Sequence, residues 1–425
     1  MDHRGPEAAH GTYRILKTNL EKAEKNRSEV GERTLKKYGK LFAGLIVFYL
    51  ILMFGTTRIG GEQLEKNVNA SLEYLEEEGE YPKPLFQSTS GRLDNFTDKI
   101  ILNNMLIEED TTTIQAMMSR GGRIQYWHGY LVLFKPLLLF GNILQAREIL
   151  SAVFFLLMFG TFALIQKKLG VVQAMCMVIS MLCVKAVIVS VSMQFFSCFA
   201  VAMLAMCAVL VKCGQDKREQ AGLIFLTTGS VINFVDFLTV PVITLGYPLI
   251  LLLVIRSQKQ ECRLKTELWY CIRMSICWGA GYGLTWICKW ILGSVLLQTN
   301  ALADAVSTAA FRVGGDEEHV LARGKMLLDN LQTGLTRETV LMLAAACVFF
   351  AWQILKRKEL TSLKQKCCEM VPILFVGLYP FFWNMFMANH SQIHFWFTFR
   401  SQSILIFALL TTGCVLIQKR KKGRQ

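Results

Sequence analysis

The sequence predicts an all-α fold: a polytopic bundle of about ten transmembrane helices, with both termini cytoplasmic and interfacial helices in a large first extracytoplasmic loop. Three observations predict it. Of 425 residues, 53% are hydrophobic and only 18% are charged, with a mean hydropathy of +0.37, whereas soluble domains carry about 25% charged residues. Apolar runs near the length needed to cross a hydrocarbon core, about 17–25 residues, recur along the chain. Basic residues collect in alternate connectors between those runs, as cytoplasmic loops require. Eight prolines and the absence of low-complexity tracts exclude a disordered or collagen-like chain.

The spans are read in order. A polar, basic tail (1–40) precedes the first span at Leu41–Thr57, which begins too late for a cleaved signal peptide and should stay as an anchor. A loop region (58–148) follows. The core then resumes over 149–297 with spans at Ile149–Ile165, Val171–Val189, Phe195–Val211, Ala221–Phe237, Val240–Ile255 and Leu268–Leu297. A second loop (298–338) leads to Thr339–Leu355, Met370–Ala388 and Ser403–Ile417, and a basic tail (419–425) ends the chain. Tyr130–Leu144 is a further apolar stretch, but Lys135-Pro136 interrupts it, which favours an interfacial or re-entrant segment. The tails and the connectors on their side hold 29 of the 46 basic residues, and the opposite loops hold 12. The net charge of +14 therefore reads as orientation, with no nucleic-acid partner. Thirteen cysteines, from Cys176 to Cys414, fall in apolar runs or basic connectors, and so read as small buried residues and not as a disulfide framework.

The first loop has internal order. Leu64, Val68, Leu72 and Leu75 describe an amphipathic helix that ends at Tyr81-Pro82-Lys83-Pro84. Leu93, Phe96 and Ile100 mark a second helix. A third starts near Asp110–Thr113 and runs through Ile114, Met117 and Met118. Asp94 and Asp98 stand at i and i+4, so a helix brings both carboxylates to one face, where either could act as a general base or hold a divalent cation. A solvated helix face explains the same pair without chemistry. His128, in Gln125-Tyr126-Trp127-His128-Gly129-Tyr130, suits either ligand binding or a structural hydrogen bond, while the aromatics suit the membrane interface.

His390 and His394 also stand at i and i+4, but Ser391 occupies the place where a zinc protease helix needs Glu, so with Arg400 they fit anion recognition better. Lys185 and Lys289 lie deep in outward-running spans, near Lys135 and Arg147, where ionisable residues are costly unless they face a wet interior. Snorkelling explains each lysine equally well. Asp236 ends its span as a pairing partner for such a cation or as a cap before Pro241. In the second loop, Gly314-Gly315 separates two helical patterns, and Val320, Leu321, Leu327, Leu328 and Leu331 make one apolar face, as a lid or an inert interfacial pair would show. No P-loop, GxGxxG, GxSxG or HExxH motif occurs.

This arrangement resembles the C-type (GT-C) superfamily of polytopic membrane glycosyltransferases. The likeness covers the span plan in outline, and Leu93–Asp98 is the segment that matches a functional motif by position, with its acids spaced DxxxD and not as an adjacent pair. The resemblance implies transfer of a sugar from a polyprenyl-phosphate donor to a cell-envelope glycan, lipid or protein acceptor, on the extracytoplasmic face of a bacterial plasma membrane. Asp98 would be the base and Asp94 its support or a metal ligand. His128, Lys185, Lys289, His390, His394 and Arg400 would hold the donor phosphate, with Asp236 and Arg147 in support. No cofactor is demanded beyond a divalent cation that the acidic pair could carry. A transporter or flippase for a lipid-linked or anionic substrate is the alternative, with the same cations lining a pathway.

Overall fold

In a computed structural model the described residues are 6–213, 218–258, 262–356 and 363–418, and among them every regular element is helical. Among the described residues seven helices are long and apolar enough to cross a membrane, judged by length and composition: Gly31–Arg58, Ile143–Leu169, Met193–Lys212, Leu264–Leu297, Arg337–Leu355, Gln365–Phe386 and Phe395–Ile417. Three shorter apolar segments, Tyr130–Leu139, Val171–Cys183 and Ile243–Ser257, accompany them.

Helix α1 (Pro6–Arg58) is continuous, so the polar tail and the first span form one rod. The loop after it folds into α2 (Glu62–Glu78), α3 (Asn95–Asn103), α4 (Thr113–Met118) and α5 (Tyr130–Phe134). Leu64, Val68 and Leu75 are buried on α2, as their spacing predicts, with Ser71 beside them, while Leu72, expected on the same face, is half-buried. On α3 the expectation fails: Phe96 is 46% exposed, and the buried side carries Asn95, Asp98, Ile101 and Leu102. Polar partners override the apolar pattern there. Thr112 and Gln115 close a capping box at the start of α4. The chain breaks at Lys135-Pro136, and a single 3-10 turn, Leu137–Leu139, completes the interrupted segment.

Asn142 and Gln145 cap α6 (Ile143–Leu169) in the same reciprocal way. The expected span Val171–Val189 is interrupted. Helix α7 (Val171–Cys183) stops where Lys185 takes a left-handed conformation, and α8 (Ala186–Val189) is one further turn. Helices α9 (Met193–Lys212), α10 (Arg218–Val235) and α11 (Ile243–Ser257) form the centre, and α11 is buried from Ile243 to Arg256. The long α12 (Leu264–Leu297) crosses α10 so closely that Gly229 lies against the Trp278 carbonyl and Gly281 against the Leu226 carbonyl. Small residues permit such backbone contact between apolar helices.

The second loop supplies α13 (Ala301–Gly314) and α14 (Arg323–Gly334), separated by Gly315 at φ +71°. The apolar face expected on α14 is not what packs: Met326 and Asn330 are buried, while Leu328 is 52% and Val320 74% exposed. Helix α15 (Arg337–Leu355) follows. The expected span Met370–Ala388 is interrupted at Leu378, between α16 (Leu363–Gly377) and α17 (Tyr379–Phe386). Two short helices, α18 (Ala388–Ile393) and α19 (Phe395–Thr398), then lead into α20 (Ser403–Ile417).

Contacts sort the connectors into two ends. At one end α3 meets the start of α9, Arg400 meets Ser90, Lys289 meets Met118, and Gln392 meets Val320. At the other, Lys37 pairs with Glu219, and buried Arg256 makes a two-pronged pair with Glu267 at 2.8 and 2.9 Å. Between the ends the bundle turns apolar side chains outward, among them Leu156, Phe159, Trp269 and Val348, as a helix surface facing hydrocarbon would.

Candidate functional site

Asp94 and Asp98 fall within the first turn of α3, and each has a capping task. Asp94 is the N-cap: its Oδ1 accepts from the Thr97 amide and its Oδ2 from the Thr97 hydroxyl, both at 2.9 Å. Asp98, one turn on, is fully buried and reaches out of its own helix. Its carboxylate accepts from the Gln194 amide at 3.0 Å and the Met193 amide at 3.3 Å. It therefore sits on the positive N-terminal end of α9, where a carboxylate is favoured. Burial opposes this more strongly and raises its pKa to about 7, while Arg147 and the two amides pull it down. Burial likewise raises the pKa of Asp94, against the pull of Thr97, Gln194 and Arg400.

Two arginines close this acidic centre. Arg147 on α6 donates to Glu78 of α2 at 2.9 Å and to the Asn95 side-chain oxygen at 3.0 Å. Asn95 in turn donates to the same Glu78 carboxylate and to the Gly79 carbonyl. This network explains why the buried face of α3 is polar. Arg400 is fully buried, stacks over the rings of Phe195 and Phe399, and donates from one nitrogen to the Ser90 carbonyl at 3.2 Å. Its Nε and Nη1 have no hydrogen-bond partner, a costly arrangement for a buried guanidinium.

The other predicted residues do not join this centre. His128 has φ 55°, and its ring is held between the Tyr130 hydroxyl at 2.9 Å and the Arg123 carbonyl at 2.7 Å. A carbonyl can only accept, so Nε2 carries the proton and Nδ1 accepts from Tyr130, whose oxygen also receives Asn104. Burial, then Lys289, lower the His128 pKa to about 3. It is a neutral structural histidine here. Lys289 is buried beside it, donating to the Met118 carbonyl at 2.6 Å and lying over Trp127. Lys185 stands apart, paired with Glu338 at 2.8 Å and lying over Phe86, and so ties the α7 break to the start of α15.

His390 and His394 are neighbours, with ring centroids 4.8 Å apart. His390 meets the Leu238 carbonyl at 2.9 Å through Nε2 and Arg312 at 3.4 Å through Nδ1. Arg312 also donates to the Tyr126 hydroxyl. Burial lowers both histidine pKa values, His394 to about 4, with Arg312 adding to the effect. Neutral rings of this kind do not supply the positive charge expected of them. Asp236 caps the turn at Thr239, accepting from its amide at 2.8 Å.

Sequence reasoning missed Arg120, Arg312, Gln194 and Glu78. Only Arg120, beside Gly121-Gly122, had a local signal, a turn that could face a cavity. Two cavities do flank it, of about 910 Å³ and about 750 Å³, between the first loop and the ends of α1 and α12. They lie toward the C-terminal end of α3, where Asn103 and Asn104 line the larger one, away from Asp94 and Asp98. Among the described residues no group of three or more His, Cys, Asp or Glu side chains comes together to hold a metal ion. Comparison with protein-family models, curated proteins and solved structures gives no match.

Proposed function

We propose that the chain is a membrane glycosyltransferase of the C-type plan. It would have ten crossings and cytoplasmic termini in a bacterial plasma membrane, and use a polyprenyl-phosphate sugar on the opposite face. One observation supports this reading most: Asp94 lies within electrostatic reach of a buried Arg400 that has two unpartnered nitrogens, beside Asp98. A carboxylate can take the proton of an acceptor hydroxyl as its oxygen attacks the anomeric carbon. A preorganised guanidinium can take the charge that grows on the phosphate oxygen as the sugar–phosphate bond breaks. The pKa of Asp98, near 7, suits a proton acceptor at neutral pH, and Asp94 would support it. In this reading the phosphate-holding role passes to Arg400, because His128, His390 and His394 are neutral, Lys185 is paired with Glu338, and Lys289 lies beside His128, away from the acidic centre.

The test is transfer from a labelled polyprenyl-linked sugar in vesicles that contain the purified chain. Asp98→Asn, Asp94→Asn and Arg400→Gln should each lower the rate by about 10²-fold or more, while the protein remains monodisperse in detergent. Intact transfer in both aspartate variants would sink the assignment.

A further inference from the structure

The larger cavity has a charge layout that neither acidic centre nor histidine pair shares. Two buried cations line it. Arg120 is 5% exposed, gives one nitrogen to the Leu106 carbonyl at 3.4 Å, and leaves Nε and Nη2 without a partner. Lys135 is fully buried and donates to the Thr56 carbonyl at 3.1 Å. Around the mouth the sign reverses: Glu62, Glu65, Glu108 and Glu109 are exposed and line the same cavity. The mouth also includes Thr57 and Arg58, the end of the apolar segment Gly31–Arg58; the Arg58 guanidinium turns back over Phe54 and is the one cation set against the four carboxylates there. That is where lipid headgroups meet a membrane helix.

A guanidinium with two unpartnered donors, within electrostatic reach of an ammonium, is suited to the oxygens of a phosphate. A simple polyanion would have to pass four carboxylates to reach them. A group with phosphate at one end and an amine at the other meets attraction at both depths. The volume, about 910 Å³, far exceeds the roughly 30 Å³ of a single water, and falls in the range of ligand sites, about 300–1,000 Å³. We propose that this cavity binds an amine-bearing phosphate of the phosphoethanolamine type, with the phosphate on Arg120 and Lys135 and the ammonium among the mouth glutamates. The site stands independently of the transferase reading, since it shares no residue with Asp94, Asp98 or Arg400.

The same chemistry occurs as a lipid headgroup and as a soluble ester, and the experiment separates them. The full chain is placed in nanodiscs of phosphatidylethanolamine, phosphatidylglycerol and phosphatidylcholine in equal parts, and retained lipid is read by native mass spectrometry. Calorimetry in detergent then measures O-phosphoethanolamine against inorganic phosphate. Selective retention of phosphatidylethanolamine assigns a lipid headgroup. Binding of O-phosphoethanolamine alone assigns a soluble ligand. Arg120→Gln should lower either signal at least tenfold. The combined Glu62→Gln, Glu65→Gln, Glu108→Gln and Glu109→Gln variant changes only exposed side chains, so it should fold, and should shift preference toward phosphatidylglycerol and inorganic phosphate. Equal retention of all three lipids with no binding of the soluble ester would overturn the proposal. So would a quadruple variant with unchanged preference, or inorganic phosphate binding as tightly as the ester.

Discussion

Asp98 is held by two opposing effects, and their balance sets a pH dependence. The amides of Met193 and Gln194 stabilise its charge, but complete burial disfavours that charge and raises its pKa from 3.8 to about 7. The folded chain therefore binds a proton there more tightly than the unfolded chain does. Stability from this group is full below about pH 4 and is lost as pH rises toward 7, a total of order 4 kcal/mol at about 1.4 kcal/mol per pKa unit. Thermal unfolding in detergent should show this decline in the native chain between pH 5 and 7. In Asp98→Asn, which cannot ionise, that part of the slope should vanish, and an unchanged slope would refute it. The sequence pointed to this pair by its i, i+4 spacing. It could not say that Asp94 would cap α3 while Asp98 capped α9, because the second partner lies 95 residues away. Arg120 has a local cue in the turn at Gly121-Gly122, but the burial of its guanidinium depends on contacts distant in sequence.

Helix faces are legible in the sequence where hydrophobic periodicity decides them and illegible where polar partners do. The spacing of Leu64, Val68 and Leu75 predicts the buried face of α2, whereas the face of α3 is set by Glu78, Asn95 and Arg147. The breaks at Lys185 and Leu378 coincide with a charge in an apolar run and with Pro380 just beyond, but neither feature by itself distinguishes a break from an unbroken span. The α10–α12 crossing depends on two glycines among several. A Cβ at Gly281 would overlap the Leu226 carbonyl oxygen, but at Gly279 and Gly283 it would meet nothing within 4 Å. Gly281→Ala should therefore separate the helices and cost about 1–3 kcal/mol. Gly279→Ala and Gly283→Ala should be neutral or slightly stabilising, since alanine favours a helix over glycine by up to about 1 kcal/mol. Melting temperatures of the three purified variants decide the matter. A loss shared equally among them would mean that generic helix effects, not backbone contact, control the crossing.

Along the sequence the basic residues collect in alternate connectors, and this separation of charge makes a topology testable. The connectors that meet at the Lys37–Glu219 and Arg256–Glu267 end are the basic ones, while the opposite end gathers both long loops, the acidic centre and the glutamate-rimmed cavity. Basic residues flanking spans resist translocation and stay cytoplasmic. Reversing the molecule would carry 29 lysines and arginines across the membrane in place of 12. Hydropathy alone conveyed the helical class, and charge alternation conveyed the proposed orientation, because both depend on composition and not on tertiary contact. Fluorescent protein joined after Gln425 should therefore fold and fluoresce, while alkaline phosphatase at the same point stays inactive. Inserted at the exposed Asp316–Glu318 turn between α13 and α14, phosphatase should be active. Activity at both points would mean an even number of crossings between them, in place of the three expected at Thr339–Leu355, Met370–Ala388 and Ser403–Ile417. The stretch broken at Leu378, between α16 and α17, is the place between those points where such a change of count would enter.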